Sequence, residues 1–350
     1  MKGKSSIKEI SELSGVSIAT VSRVINQNGR FSKDTEKRVR KVIKEMNYQP
    51  NAVARGLRKS KVQAVGIIVP DITNEFFAQV TLNLQNDLSK MNYPAFICNT
   101  REDSEIERKN LDMLKALQVS GLIYISGAFS DDKETLSVPT VFIDRKPPFN
   151  SSNNHNIVLI ESDNEQGGYL AATELLSSGC SNIGMITFNR SRSTHYNRYM
   201  GYKKALSESG IVPDENMVIE AENSDPVSGY HSFKSLIEKN PHLDGLFCSS
   251  DVLAIGALQA IHEIGMKVPE SIKLVGFDDI STTALPGISI TTIRQSTASF
   301  SSIAVKILVS MMNEVNDEPE NKQFVLPVEL IRRKSTQMVL TREITDEAPL

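Results

Sequence analysis

From Val62 onward the chain alternates short apolar runs with amphipathic stretches, and few architectures accept that pattern. Runs at 64–69, 95–98, 122–125, 140–143, 183–188, 243–248, 272–275 and 291–294 read as strands. Segments at 76–90, 104–117, 164–177, 198–209, 227–238 and 252–264 read as the helices between them. Continuous apolar strands linked by helices imply parallel sheets covered on both faces. Roughly 280 residues are too many for one such layer, so two similar subdomains are expected.

The segment before Val62 is different. Ile7, Ile10 and Leu13 mark one face of a first helix that stops at Gly15, and Ser17 is placed to cap a second helix reaching about Ile25, with Val21, Val24 and Ile25 inward. A third helix starts near Ser32 and carries Val39, Val42, Ile43 and Met46 at helical spacing, with Lys37, Arg38, Arg40, Lys41 and Lys44 outward. Three short helices with a sharp glycine turn are the helix-turn-helix pattern. After Tyr48-Gln49-Pro50, Asn51 can cap one more short helix before the basic stretch 58–61. Residues 1–61 hold 15 Lys and Arg against 5 Asp and Glu, whereas the remainder is acidic, 24 against 37. Such a head suits a polyanion, and its DNA binding would be strongly salt-dependent.

On the second helix, Ile18, Ala19, Ser22 and Arg23 lie opposite the apolar face. Arg23 can pair bidentately with guanine O6 and N7, and the two apolar residues can meet a thymine methyl. Leu57 between Arg55 and Arg58 has the composition of a minor-groove wedge with phosphate clamps. In the larger region, the ends of the strands are polar: Asn74, Phe76 and Phe77 follow the first, Asp144 and Arg145 the fourth. A polar loop containing Arg198 follows 183–188, and Asp251, Asp278 and Gln295 follow the last three. Open α/β sheets bind ligands at such ends. A sugar needs flat aromatic faces and planar bidentate groups for vicinal hydroxyls. Each feature has a plainer alternative: a solvated helix face for Arg23, a packed linker leucine for Leu57, a helix N-cap for Asp251.

Several classes lack support. No GxGxxG or GxxxxGK[ST] motif occurs, and His155, His195, His231, His242 and His262 show no metal-ligand spacing and read as surface or loop residues, so no enzyme, cofactor or metal is indicated. Cys98, Cys180 and Cys248 are odd in number and far apart, which fits buried thiols in a reducing compartment. The N-terminus lacks an apolar signal segment and no run approaches a membrane span, so a cytoplasmic protein is expected, not a transport-class binding protein.

The stretches 6–10 and 15–26 (SIKEI, then GVSIATVSRVIN), the segment 48–57 (YQPNAVARGL), and the body runs VGIIVPD at 65–71, FCSSD at 247–251 and LVGFDD at 274–279 resemble the lac repressor family of bacterial regulators over nearly the whole chain. The resemblance implies a head at 1–48, a hinge helix and linker at 49–61, and an effector-binding and dimerisation domain at 62–345. Within that domain an N-subdomain would take 62–160 and 293–322 and a C-subdomain 161–292 and 323–345, each with a periplasmic-binding-protein-like parallel sheet. It also implies a homodimer on a palindromic operator, with Leu57 inserted at a central CG step. Ser17, Ile18, Ala19, Thr20, Ser22, Arg23, Asn26, Asn51, Ala54, Arg55 and Leu57 would contact DNA. Asn74, Phe76, Phe77, Asp144, Arg145, Arg198, Asp251, Asp278 and Gln295 resemble the pocket of ribose-binding proteins and ribose repressors. The expected function is repression of a sugar-utilisation operon, relieved or promoted by a small sugar, ribose first. The alternative is a catabolite-type global regulator answering to a phosphoprotein partner or sugar phosphate. Ser296 departs from the family's usual proline after Gln295, and 341–350 lacks the leucine heptads of tetrameric relatives.

Overall fold

The computed structural model describes residues 6–46, 48, 62–125, 138–146, 156–313 and 322–337, and the chain divides after Val62 into two compact units. The hinge residues Asn51, Ala54, Arg55 and Leu57, and the tail 341–350, lie outside the described residues.

The first unit holds three helices, α1 (Ile7–Ser14), α2 (Ile18–Asn26) and α3 (Lys33–Glu45). Each begins where a serine side chain accepts a backbone N–H. Ser6 and Glu9 form a reciprocal capping box, and Ser17 and Ser32 cap the next two helices. Gly15 ends α1 at φ +68°, a conformation that costs glycine nothing. Ile10, Val21, Val24 and Val39 form the core, flanked by Ile7, Val16, Ile25, Phe31, Val42, Ile43, Met46 and Tyr48. Leu13, expected on the inward face, is instead 64% exposed. It lies about 60° around α1 from Ile10 and about 100° from the buried Ser14, at the edge of the buried stripe.

The second unit contains two six-stranded sheets. The first combines β1 (Val62–Val69), β2 (Ala95–Asn99), β3 (Val119–Ile125), β4 (Thr140–Ile143) and β5 (Ile157–Ser162) with β11 (Gln323–Leu326), in the order β11-β5-β4-β3-β1-β2. The second combines β6 (Ile183–Phe188), β7 (Val218–Ala221), β8 (Gly245–Cys248), β9 (Lys273–Asp278) and β10 (Thr291–Arg294) with β12 (Glu329–Ile331), in the order β12-β10-β9-β8-β6-β7. The chain passes between the sheets after β5, β10 and β11. Helices α4 (Glu75–Lys90), α5 (Ser104–Ala116) and α10 (Thr297–Met312) belong to the first sheet; α6 (Asn164–Ser177), α7 (Ser193–Glu208), α8 (Pro226–Lys239) and α9 (Asp251–Glu263) belong to the second. Aliphatic side chains fill both faces of each sheet, for example Val65, Ile67 and Val69 against α4 and α10, and Ile68 and Tyr124 on the other side. Each such buried side chain contributes about 1.5–3 kcal/mol.

Three expectations change. Gln323–Leu326 pairs in parallel with β5, so 323–326 belongs to the N-subdomain sheet, not the C-subdomain. Its half-exposed residues carry little periodic signal, so register, not pattern, assigns it. The pairing of β12 with β10 is antiparallel, an edge strand on an otherwise parallel sheet. Helix α7 starts at Ser193, five residues before the helix read at 198–209, so Arg198 lies within the helix and not in a loop after 183–188.

The helix pair α6–α7 touches backbone to backbone. A Cβ on Gly168 would lie 1.9 Å from the Arg198 carbonyl oxygen, and one on Gly201 would lie 1.9 Å from that of Glu165. Gly168→Ala must therefore push α7 outward and is expected to cost about 1–3 kcal/mol by the usual scale of overpacking, read from the denaturation midpoint. An unchanged midpoint would mean that the helices are not held at this separation.

Candidate functional site

The ends of the strands converge between the two sheets. Three acidic residues there, Glu102 after β2, Asp144 after β4 and Asp278 at the end of β9, sit at φ +57°, +75° and +117°. Positive φ strains a residue with a Cβ by about 1–3 kcal/mol. Accepting it turns the chain sharply where each strand ends.

Arg198 lies at the centre. Its side chain is buried, with the guanidinium carbon 3.5 Å from the centroid of the Phe277 ring. Nε donates to Asn164 Oδ1 (2.8 Å) and Nη1 to the Ser249 carbonyl (2.6 Å). Asp278 Oδ1 is 3.7 Å from Nη1, and Asp144 Oδ1, from the other subdomain, is 4.0 Å from Nη2. Three strand ends and helix α6 thus fix one planar fork, which suits bidentate recognition. Gln295 Nε2 donates to Asp278 Oδ1 (2.8 Å), while Gln295 Oε1 is buried with no hydrogen-bond partner among the described residues. Burial pushes the Asp278 carboxyl up to about 7 against the pull of Arg198. His195, one helical turn before Arg198, faces Ser249 Oγ across 3.2 Å; burial, then Arg198 and Arg145, holds it well below the usual imidazole range and keeps it neutral.

The other expected residues divide. Arg145 is buried and its Nη2 donates to Glu102 Oε1 (3.1 Å). Asn74 caps α4, with Oδ1 accepting the Phe76 N–H. Phe76 is a core residue, packed edge-on against Phe77 and Phe300, and Phe77 is half-buried beside it. Asp251 departs from the expected ligand contact. Its two oxygens accept from Thr292 Oγ1 (2.7 Å) and the Ile280 N–H (2.9 Å), and it is fully enclosed. Burial and the nearby Asp278 raise it well above the carboxylate range. It shapes the loop that carries Asp278. The sequence reading missed Asn164, Ser249, Phe277, Arg192, Glu102 and the buried setting of His195; among the described histidines, His231, His242 and His262 are exposed as expected. Asn164 follows a strand, 157–162, whose run of four apolar residues was a usable signal.

In the head unit, Ile18, Ala19 and Arg23 are exposed on α2 and Ser22 is half-buried. Ser17 and Thr20 bond each other through their hydroxyls (2.9 Å). Arg23 lies along Gly29, where a Cβ would be 3.4 Å from its Cδ. The side chain of Asn26 lies outside the described residues. Lys37, Arg38, Arg40, Lys41 and Lys44 are exposed on α3. Among the described residues no helix is long and apolar enough to cross a membrane, and no group of three metal-ligating side chains occurs.

The pH response of the cleft follows from Asp278. Its folded carboxyl titrates near 7 and an unfolded aspartate near about 3.9, so its stabilising contribution is complete below the ordinary range and is lost as pH rises through about 7. Asp278→Asn should therefore gain denaturation midpoint relative to the wild type between pH 5 and pH 8. A difference that does not move with pH would contradict the shift.

Comparison with known proteins places this geometry. Residues 6–51 match the model of bacterial regulatory proteins of the lacI family, and residues 172–336 match that of a periplasmic binding protein-like domain. The chain is 32% identical over 340 residues to the HTH-type transcriptional repressor PurR of Haemophilus influenzae (strain PittEE), covering 95% of this chain and 99% of that one. It is 33% identical over 334 residues to the ribose operon repressor of Halalkalibacterium halodurans, covering 95% and 97%. Its fold superposes with a TM-score of 0.83 on the lac repressor dimer bound to operator and the anti-inducer ONPF, at 24% identity, covering 96% and 100%.

Proposed function

The chain belongs to the lacI family of bacterial regulatory proteins, and from that premise we propose that it is a cytoplasmic repressor of a sugar-utilisation operon, controlled by a small sugar, ribose first, bound between the two sheets. The observation that carries the reading is the Arg198 fork, buried on an aromatic face between Asp278 and Asp144. A guanidinium offers paired donors and a carboxylate paired acceptors to the adjacent hydroxyls of a furanose or pyranose. Gln295 Oε1 adds an acceptor and Phe77 an apolar edge. The similarity to a ribose operon repressor supports the choice of ribose as the first sugar to test.

On the DNA side, the reading is a homodimer on a palindromic, CG-centred operator. Arg23 would take a guanine, Ile18 and Ala19 would lie against apolar base edges, and the basic face of α3 would supply part of the phosphate grip. Leu57 with Arg55 and Arg58 would add a minor-groove contact. A sugar that favours one arrangement of the two subdomains would shift DNA affinity by its difference in affinity for the two states.

Fluorescence anisotropy on a CG-centred palindromic duplex, at two salt concentrations and with and without ribose, tests this reading. Tight binding that weakens steeply with salt and changes on adding ribose is the expected result. Binding indifferent to ribose would discard that sugar. Arg23→Ala should cost about 1–3 kcal/mol on the cognate duplex and leave non-specific DNA nearly unaffected; equal losses on both would reduce Arg23 to a phosphate contact.

A further inference from the structure

Resting on the proposed sugar cleft, we infer that Glu102 sets the charge class of the effector: it neutralises the two arginines at the mouth and so selects an uncharged sugar over a phosphorylated one. Glu102 Oε1 accepts from Arg145 Nη2 at 3.1 Å, and Glu102 Oε2 lies 2.8 Å from Arg192 Nη2. The two arginines come from different subdomains. Arg145 follows β4 of the first sheet, and Arg192 is the residue before α7 of the second, with its guanidinium 5.8 Å from the Phe188 ring centroid.

Both arginines are poorly solvated, with side chains 9% and 19% exposed. Arginines in such a setting are the usual recognition groups for phosphate, because several charge-assisted bonds can form on one anion. Here the positions a phosphoryl group would take on the two guanidiniums are held by a carboxylate of the protein. Deeper in the cleft, Arg198 is matched in the same way by Asp144 and Asp278. A dianionic phosphate would have to expel Glu102 or sit against it, whereas a hydroxyl needs neither. The Glu102 backbone at φ +57° follows Arg101 at +54°, so two successive residues are strained to deliver this one side chain.

Calorimetric titration of the full chain with D-ribose, D-ribose 5-phosphate and inorganic phosphate tests the assignment in the wild type, in Glu102→Gln, and in Glu102→Gln combined with Arg192→Gln. Glu102→Gly serves as a second single variant, because glycine is relaxed at this φ and folding is favoured while the carboxylate is removed. The expected result is no measurable binding of either phosphate by the wild type. Removing the carboxylate should raise affinity for ribose 5-phosphate by on the order of tenfold or more, and Arg192→Gln should take most of that gain away. A wild type that binds ribose 5-phosphate as well as the Glu102 variants do would overturn the inference, whatever ribose does. If the wild type ignores ribose while the Glu102 variants still admit the phosphates, the inference stands and only the choice of ribose falls.

Discussion

One buried guanidinium organises the larger unit. A charge the size of that of Arg198 cannot be left in a protein interior without partners, and its partners come from α6, the ends of β4, β8 and β9, and the ring of Phe277. Most of these partners belong to the second sheet, and Asp144 at 4.0 Å adds a charge contact from the first. The close contact of α6 and α7 through Gly168 and Gly201 sets the depth at which the side chain is delivered. Enclosed groups such as Asp251 hold the supporting loops. The cleft is polar, yet its geometry is fixed by packing.

A second pair of links joins the subdomains away from Arg198. Glu75 at the start of α4 accepts from the Ser281 N–H (2.5 Å) and from Thr282 Oγ1 (3.0 Å), and the Lys146 N–H donates to Ser193 Oγ (3.3 Å). With the Glu102 ion pairs these contacts cross between the sheets at several points around the cleft. The Glu75–Ser281 and Lys146–Ser193 bonds are exposed enough for water to compete, so each is weak singly.

Much of this was legible in the residues. Strands β1, β3 and β6 are mostly apolar runs alternating with amphipathic helices, so the repeated strand-helix unit and the two-subdomain body could be read directly. Gly15, Ser17 and Ser32 marked where the head's helices stop and start. What escaped detection was polar and buried. Helix α7 begins with Ser193, Thr194, His195 and Tyr196, and its inward face includes Thr194, His195 and Arg198, so hydrophobic periodicity has nothing to register there. The same holds for Asn164 and for Glu102, which lies in a turn with no periodic signal. Short edge strands such as β11 and β12 are identified by their register with a neighbour, which a single sequence does not display. Asp251 illustrates the converse: a carboxylate after a strand is equally suited to a ligand or to a loop, and only its two short hydrogen bonds decide.

If Arg198 reads the effector while the head grips DNA without it, the ribose response of the operator complex formed by Arg198→Ala, followed by anisotropy beside the wild type, separates the two roles. The variant is expected to bind operator as the wild type does and to show no response to ribose. Loss of operator binding together with the response would make Arg198 a structural residue, and a retained response would move the effector elsewhere.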